Sequence, residues 1–289
     1  MHILGTGLTG LVGSRIVELL SGDFTFTDLS RSKGVDITEA DTVKAFITQK
    51  NPDLILHLAG ATNVDACEEE KELGENSTAW KINVEGTKNV MQAAEAIGKK
   101  ILYISTDFVF NGENPPEEGY REEDTPHPVN WYGQTKYEGE IRIQKAKIPW
   151  CIVRIASPYR AEFEKRDFFR AILTRLQSGE EVKGVSDYQI TPTYIDDISS
   201  AVHALITQEQ NGIFHVVGSE FISPYDAARK IARVFSTDES RVKPVNGSDF
   251  FSGRAKRPFK SILNNAKIGK LGVEMRTLEQ GLEEIKRQI

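Results

Sequence analysis

Cysteine is nearly absent from this chain: Cys67 and Cys151 are the only two in 289 residues. A reduced pair is expected rather than a disulfide, and neither stands at a metal-ligand spacing. The five histidines, His2, His57, His127, His203 and His215, do not cluster, so no metal site is expected. No apolar run approaches the ~18 residues of a membrane span, and the N-terminus enters a strand with no leader-like segment. A basic stripe is missing too. The net charge is −6 and the pI about 5.6, which argues against a nucleic-acid partner. The acidic runs Glu68-Glu69-Glu70 and Glu122-Glu123-Asp124 read as solvated faces. Repeats and low-complexity segments are also lacking. These absences predict a cytoplasmic protein acting on a small molecule, away from membranes.

What is present is an alternation of short apolar strands with amphipathic helices. Strands are predicted at Met1–Leu4, Phe24–Thr27, Asp53–Leu58, Lys100–Ser105 and Trp150–Ile155. Helices are predicted at Leu11–Leu20, Glu39–Gln49, Ala79–Ile97 and Asn130–Ala146. Unbroken apolar strands between helices predict a parallel sheet covered on both faces. Beyond residue 155 the pattern becomes α+β, with helices at Asp167–Gln177, Asp196–Thr207, Ser223–Phe235, Asn264–Leu271 and Leu278–Gln288. Strands are expected near Val182 and Ile190 and at Gly212–Val217. The expected fold is α/β, a Rossmann-type doubly wound parallel sheet with a smaller α+β C-terminal substrate lobe. Residues 1–155 plus 186–218 would form the nucleotide-binding domain, and 156–185 plus 219–289 the lobe.

Between the first strand and helix runs Gly5-Thr6-Gly7-Leu8-Thr9-Gly10-Leu11-Val12-Gly13. Two glycine registers fit, and the one built on Gly7, Gly10 and Gly13 is preferred because it puts Gly13 inside the helix, where close packing needs no side chain. Such a turn admits a pyrophosphate, and the helix start at Leu11 and Val12 supplies unpaired N–H donors. Asp28 ends the second strand about twenty residues later. Its carboxylate suits ribose hydroxyls and repels a 2′-phosphate, which leans toward NAD(H). Ser30, Arg31 and Lys33 follow and suit that phosphate, so NADP(H) stays open.

Tyr132 and Lys136 stand four residues apart on a predicted helix, hence on one face. An ammonium beside a phenol lowers its pKa, so Tyr132 is expected to titrate below the usual ~10 and to exchange a proton with a sugar or alcohol oxygen. The long connection from Ser105 to Asn130 leaves the carboxyl edge of the sheet, where open α/β folds bind ligands. His57 reads as a satisfied core histidine, and Trp80 and Trp131 as packing residues.

With these features and the segment Tyr103-Ile104-Ser105-Thr106-Asp107-Phe108-Val109-Phe110-Asn111-Gly112, the chain resembles the extended short-chain dehydrogenases/reductases. More narrowly, it resembles the dTDP-4-dehydrorhamnose reductase branch, the sugar-nucleotide-binding family. The resemblance runs nearly end to end and includes His57–Asp65, Ile82–Thr87, Pro192–Asp197, Gly212–Gly218 and Ala255–Leu263. It implies NAD(P)H-dependent reduction of a 4-keto nucleotide sugar, as in dTDP-rhamnose biosynthesis, often by a homodimer. By the same resemblance Tyr132 is the general acid, and Lys136 holds the nicotinamide ribose and tunes Tyr132. Thr106 holds the substrate carbonyl and Asp107 contacts the sugar. Asp36 and Ile37 border the adenine, Ala59-Gly60-Ala61 the phosphate–ribose path, and Asn83 orders the active-site helix. Arg257 is a candidate for the substrate phosphate. Phe108 stands beside the substrate where the family commonly has tyrosine, so one hydroxyl is missing. The run Ala156-Ser157-Pro158-Tyr159 replaces the usual aromatic near the sugar. Two other readings share the motifs: a sugar-nucleotide epimerase, and a non-catalytic regulatory subunit like the methionine adenosyltransferase β-subunit. A dehydratase ranks low, because Asp107 is followed by Phe108 and no second carboxylate.

Overall fold

A computed structural model of the chain describes residues 1–164 and 167–289; Lys165 and Arg166, inside the expected C-terminal lobe, lie outside the described residues. The strands are β1 (His2–Thr6), β2 (Thr25–Leu29), β3 (Leu54–His57), β4 (Lys100–Thr106), β5 (Trp150–Ile155), β6 (Pro158–Tyr159), β7 (Val182–Val185), β8 (Thr193–Tyr194), β9 (Gly212–His215) and β10 (Val242–Val245). The helices are α1 (Leu11–Leu20), α2 (Ala40–Lys50), α3 (Val64–Glu69), α4 (Thr78–Trp80), α5 (Thr87–Ala96), α6 (Trp131–Gln144), α7 (Phe168–Gln177), α8 (Ile195–Thr207), α9 (Pro224–Val234), α10 (Gly247–Phe250), α11 (Ala266–Gly269) and α12 (Leu278–Gln288).

Six strands form one parallel sheet in the order β2-β1-β3-β4-β5-β9. Successive strand residues point to opposite faces, and the core divides accordingly. Ile3, Leu56, Leu102 and Val153 pack on one face with Ile16 of α1 and Ile198 and Val202 of α8. Leu4, Ile55, Ile101 and Ile152 pack on the other with Val43 and Ile47 of α2, Val90 of α5 and Ile143 of α6. The expected sheet, buried on both faces, is therefore present.

From β1 the winding goes one way to β2 and the other way to β3. The crevice at the carboxyl ends of β1 and β3 is the switch point where such sheets take ligands. Register pairs Gly5 with Asp28 and Thr6 with His57. The glycine turn, Asp28 and Ala59 all leave the sheet at that edge.

A second core gathers Tyr159, Phe169, Leu173, Tyr194, Ile231 and Leu282 around the parallel pair β7–β10. Its helices are closed locally: Ser223 caps α9, with proline at the helix start, and Thr277 and Gln280 form a capping box on α12. Ile268 and Met275 turn back to the sheet core. The expected continuous helix Ala79–Ile97 is interrupted. Lys81–Gly86 is π-helical between α4 and α5. Such a widened turn re-aims side chains and often marks a functional position. The strand expected near Ile190 is reduced to two isolated bridges, Gln189 to Lys260 and Ile190 to Ile222. Among the described residues no helix is long and apolar enough to cross a membrane.

Candidate active site

In the glycine turn, Gly7 and Gly13 leave no room for a side chain. Gly7 has φ +70°, and a Cβ there would lie 2.8 Å from the Ala59 nitrogen. A Cβ on Gly13 would lie 2.4 Å from the Gly7 oxygen, so the register built on Gly7, Gly10 and Gly13 matches the packing. Gly10 caps α1 without a side-chain bond, its own N–H donating to Gly7 at 3.0 Å. The first-turn amides of a helix have no intrahelical acceptor, and α1 carries no acidic residue there.

At the end of β2, Asp28 Oδ2 accepts from Ser30 Oγ at 2.5 Å, while Oδ1 is buried with no partner. A buried acceptor left bare is uncommon and points to a missing donor. Arg31 is exposed and donates to Asp36 at 2.7 Å. Asp36 also accepts from the backbone and hydroxyl of Thr38, and these bonds lower its pKa. Ile37 is buried and lies under Gly86, where a Cβ would meet it at 2.8 Å.

Tyr132 and Lys136 lie on α6, buried to 8% and 4% exposure. Asn130 caps this helix, accepting from Gly133 N at 2.8 Å and donating to the Lys256 carbonyl at 2.7 Å. Gly133 lets α6 approach the strand end, since a Cβ there would lie 2.2 Å from the Phe108 oxygen. The Tyr132 hydroxyl thereby lies beside Thr106, close enough for Thr106 to lower its pKa. Lys136 Nζ donates to the Ile104 carbonyl at 2.8 Å and lies 4.1 Å from the centre of the Tyr103 ring.

The expected fall in the Tyr132 pKa is corrected by the structure. Burial pushes the phenol above the usual tyrosine range, with Thr106 opposing and Asp107 adding to the rise. Burial likewise pulls Lys136 down to about 7, opposed by Glu140. Desolvation acts on both groups and outweighs their spacing. The Lys136 ammonium is engaged by the Ile104 carbonyl and the Tyr103 face.

Asn83, in the π-helical turn, joins three elements. Its Oδ1 accepts from Ala61 N at 2.8 Å, and its Nδ2 donates to the Ala61 carbonyl at 3.1 Å and Thr135 Oγ1 at 3.0 Å. It thus ties the segment after β3 to α6. A Cβ on Gly60 would stand 3.1 Å from Asn83 Oδ1 and 3.9 Å from Lys136 Nζ, so Ala59-Gly60-Ala61 runs beside Lys136. His57 is a satisfied core residue, bonded to Thr6 at 2.6 Å and Thr87 at 3.0 Å, and burial pushes it down to about 3.

Asp107 is 3% exposed, and its oxygens receive Thr106 Oγ1 at 3.0 Å and Ser261 Oγ. Phe108 packs edge-on to Tyr132, ring centres 5.6 Å apart. Arg257 pairs with Asp65 at 2.8 Å and lies over the Phe251 ring. Tyr159 is fully buried against Phe169 and Tyr194. Trp80 and Trp131 stack on each other at 5.9 Å. Ser261, Asn130 and Glu140 were not singled out from the sequence. Asn130 carries the signal of a cap before a helix, and Ser261 lies within Ala255–Leu263, one of the stretches that carry the resemblance. Among the described residues no three His, Cys, Asp or Glu side chains gather as a metal site.

The whole chain, residues 1–289, matches the family model described as the RmlD substrate binding domain. The chain belongs to this family. It is 31% identical over 274 residues to the dTDP-4-dehydrorhamnose reductase of Mycolicibacterium smegmatis, covering 94% of this chain and 80% of that one. It is 28% identical over 291 residues to the methionine adenosyltransferase 2 subunit beta of Pongo abelii, covering 96% and 84%. A crystal structure of dTDP-4-dehydrorhamnose reductase from Bacillus anthracis in complex with NADP superposes with a TM-score of 0.90. That enzyme shares 31% identity, covering 100% of this chain and 99% of that one.

Proposed function

We propose that this chain reduces the 4-keto group of a nucleotide-linked sugar with NAD(P)H, dTDP-4-dehydrorhamnose being the first substrate to try. One observation carries the reading: Tyr132 is buried beside Thr106 at the end of β4, one turn of α6 before the buried Lys136, whose Nζ donates to the Ile104 carbonyl of the same strand.

The residues fit a dinucleotide. Gly7 and Gly13 let the turn pack tightly against Ala59 and onto itself, and the α1 start at Leu11 and Val12, after Gly10, would hold the pyrophosphate. The bare Asp28 Oδ1 would accept a ribose hydroxyl. Asp36 and Ile37 would border the adenine. Ala59, Gly60, Ala61 and Asn83 would line the phosphate–ribose path, and Lys136 would reach the nicotinamide ribose. Bound there, the cofactor supplies the hydride. NADH is the preferred form, because a carboxylate at Asp28 repels a 2′-phosphate. Arg31 is the opposing argument: its exposed pair with Asp36 is worth only ~0–1 kcal/mol and could be exchanged for a phosphate.

The protein's own share is proton transfer and positioning. Tyr132, kept protonated by its raised pKa, donates to the keto oxygen as negative charge develops there, a step worth ~10²–10⁴ in rate. Thr106 supplies a second donor to the same oxygen. Lys136 in its charged form stabilises the phenolate left behind. Phe108 braces Tyr132 from the substrate side. Arg257 would take a substrate phosphate by exchanging Asp65 for it.

The likeness to a methionine adenosyltransferase subunit favours a second reading, nucleotide binding without turnover. The complete Tyr132, Thr106 and Lys136 set argues for turnover. Purified protein mixed with NADH or NADPH and a panel of keto-sugar nucleotides, followed by nicotinamide absorbance, separates the two. Oxidation with one substrate supports the reductase. Silence across the panel with cofactor bound supports the regulatory reading, and conversion of the sugar's stereochemistry without net oxidation supports an epimerase.

A further inference from the structure

A line of hydrogen-bonded oxygens ends β4. Thr106 Oγ1, beside the Tyr132 hydroxyl, donates to Asp107 Oδ1 at 3.0 Å, and Asp107 Oδ2 accepts from Ser261 Oγ. Thr106 also accepts from the Phe108 amide at 3.2 Å. Thr106, Asp107 and Ser261 are all buried. Ser261 is fixed by its backbone, donating to the Gln189 carbonyl at 2.8 Å and accepting from Thr191 Oγ1 at 3.1 Å.

A hydroxyl has one hydrogen, and an ionised carboxylate only accepts. With Asp107 ionised, Thr106 donates to it and has no hydrogen left for a substrate carbonyl. With Asp107 protonated, the acid itself donates to Thr106 or Ser261, and the Thr106 hydrogen is free to turn toward the cleft. We propose that Asp107 is a positioning residue whose protonation sets the direction of the Thr106 hydroxyl, with Ser261 holding the carboxylate in place.

The proposal rests on the reductase reading. It departs from a direct contact between Asp107 and the sugar, because both Asp107 oxygens are already engaged. Burial raises Asp107 to about 6, against the bonds from Ser261 and Thr106. Of the other titratable groups, Tyr132 on α6 and Cys67 on α3 pack in one cluster at this corner, Lys136 stands one turn further along α6 against Ile104 and Tyr103, and Arg257 of the Ser261 segment is tied to Asp65. Burial holds Tyr132 far above neutrality and pushes Cys67 up to about 11. Lys136, at about 7, is the group whose titration overlaps that of Asp107.

Two readouts on the full-length protein test this. Infrared difference titration follows the C=O band of a buried protonated carboxyl, and pH profiles of kcat are measured with a keto-sugar nucleotide. The wild type should show a carboxyl band titrating near 6, with kcat rising as pH falls through the same region. Asp107→Asn should lose the band and keep only the Lys136 inflection near 7. Ser261→Ala removes a donor to the carboxylate, so both band and inflection should move up by roughly half a unit or more. An unmoved inflection in Ser261→Ala, or a band that persists in Asp107→Asn, overturns the proposal. Should Asp107→Asn fail to fold, the Ser261→Ala shift decides alone. Titration as expected without turnover on any keto sugar overturns the reductase reading and supports the hydrogen-bond chain.

Discussion

Glu140 and Arg154 meet in a two-armed ion pair, at 3.0 and 2.7 Å, with both side chains buried. Glu140 stands one turn past Lys136 on α6, as Lys136 stands one turn past Tyr132. One helix face thus carries a phenol, an ammonium and a carboxylate in line. Glu140 supports the Lys136 charge against burial. Arg154 is in turn braced by His215 at 3.3 Å and by the Phe110 ring.

Glu140→Gln should therefore act twice. Leaving Arg154 as an unpaired buried charge costs about 3–5 kcal/mol, read as a lower urea midpoint. Lys136 also loses the group that raised it, so the alkaline limb of activity should move below 7. A Glu140→Met, Arg154→Met pair should be more stable than Glu140→Gln alone.

Gly13→Ala should force the nucleotide turn open, because its Cβ would lie 2.4 Å from the Gly7 oxygen. A stability loss of ~1–3 kcal/mol is expected, with weaker dinucleotide binding in a fluorescence titration. Gly22→Ala, where nothing lies within 4 Å of the added Cβ, should bind as the wild type does.

On the proposed role of Asp28, Asp28→Ser should raise binding of NADPH relative to NADH by on the order of tenfold, ~1.4 kcal/mol. The variant would remove a charge proposed to repel a 2′-phosphate and an acceptor proposed for the ribose. Competition binding with the two cofactors measures the ratio, and an unchanged ratio would separate Asp28 from the ribose.

His57 makes stability depend on pH. Its folded pKa is about 3, against 6.5 for the free group. Between these values the unfolded chain binds the extra proton, so stability falls as pH drops from 6.5 toward 3. His57→Gln should flatten that part of the curve in denaturation experiments run across the window.

Much of the fold was legible because its signals are local. Leu11–Leu20, Trp150–Ile155 and Leu278–Gln288 form elements with the bounds read from apolar spacing. The glycine register followed from where a helix must pack. Other features depend on partners distant in sequence. β10, Val-Lys-Pro-Val, is short and holds a proline, and it exists as a strand because β7 pairs with it. The π-helical turn at Asn83 becomes intelligible once Ala61 and Thr135 are seen on either side of its amide. Spacing reveals a neighbouring charge but not the depth of burial, which sets the direction of the Tyr132 pKa. Ser261 is 154 residues from Asp107 in sequence, and nothing local marks it as that carboxylate's partner.

The most direct test of the account compares wild type with Tyr132→Phe in single-turnover nicotinamide oxidation, with dinucleotide affinity measured on the same preparations. The expected result is rapid oxidation by the wild type with a keto-sugar nucleotide, and a loss of ~10²–10⁴ in rate for the variant at nearly unchanged affinity. Equal rates in the two proteins would contradict it.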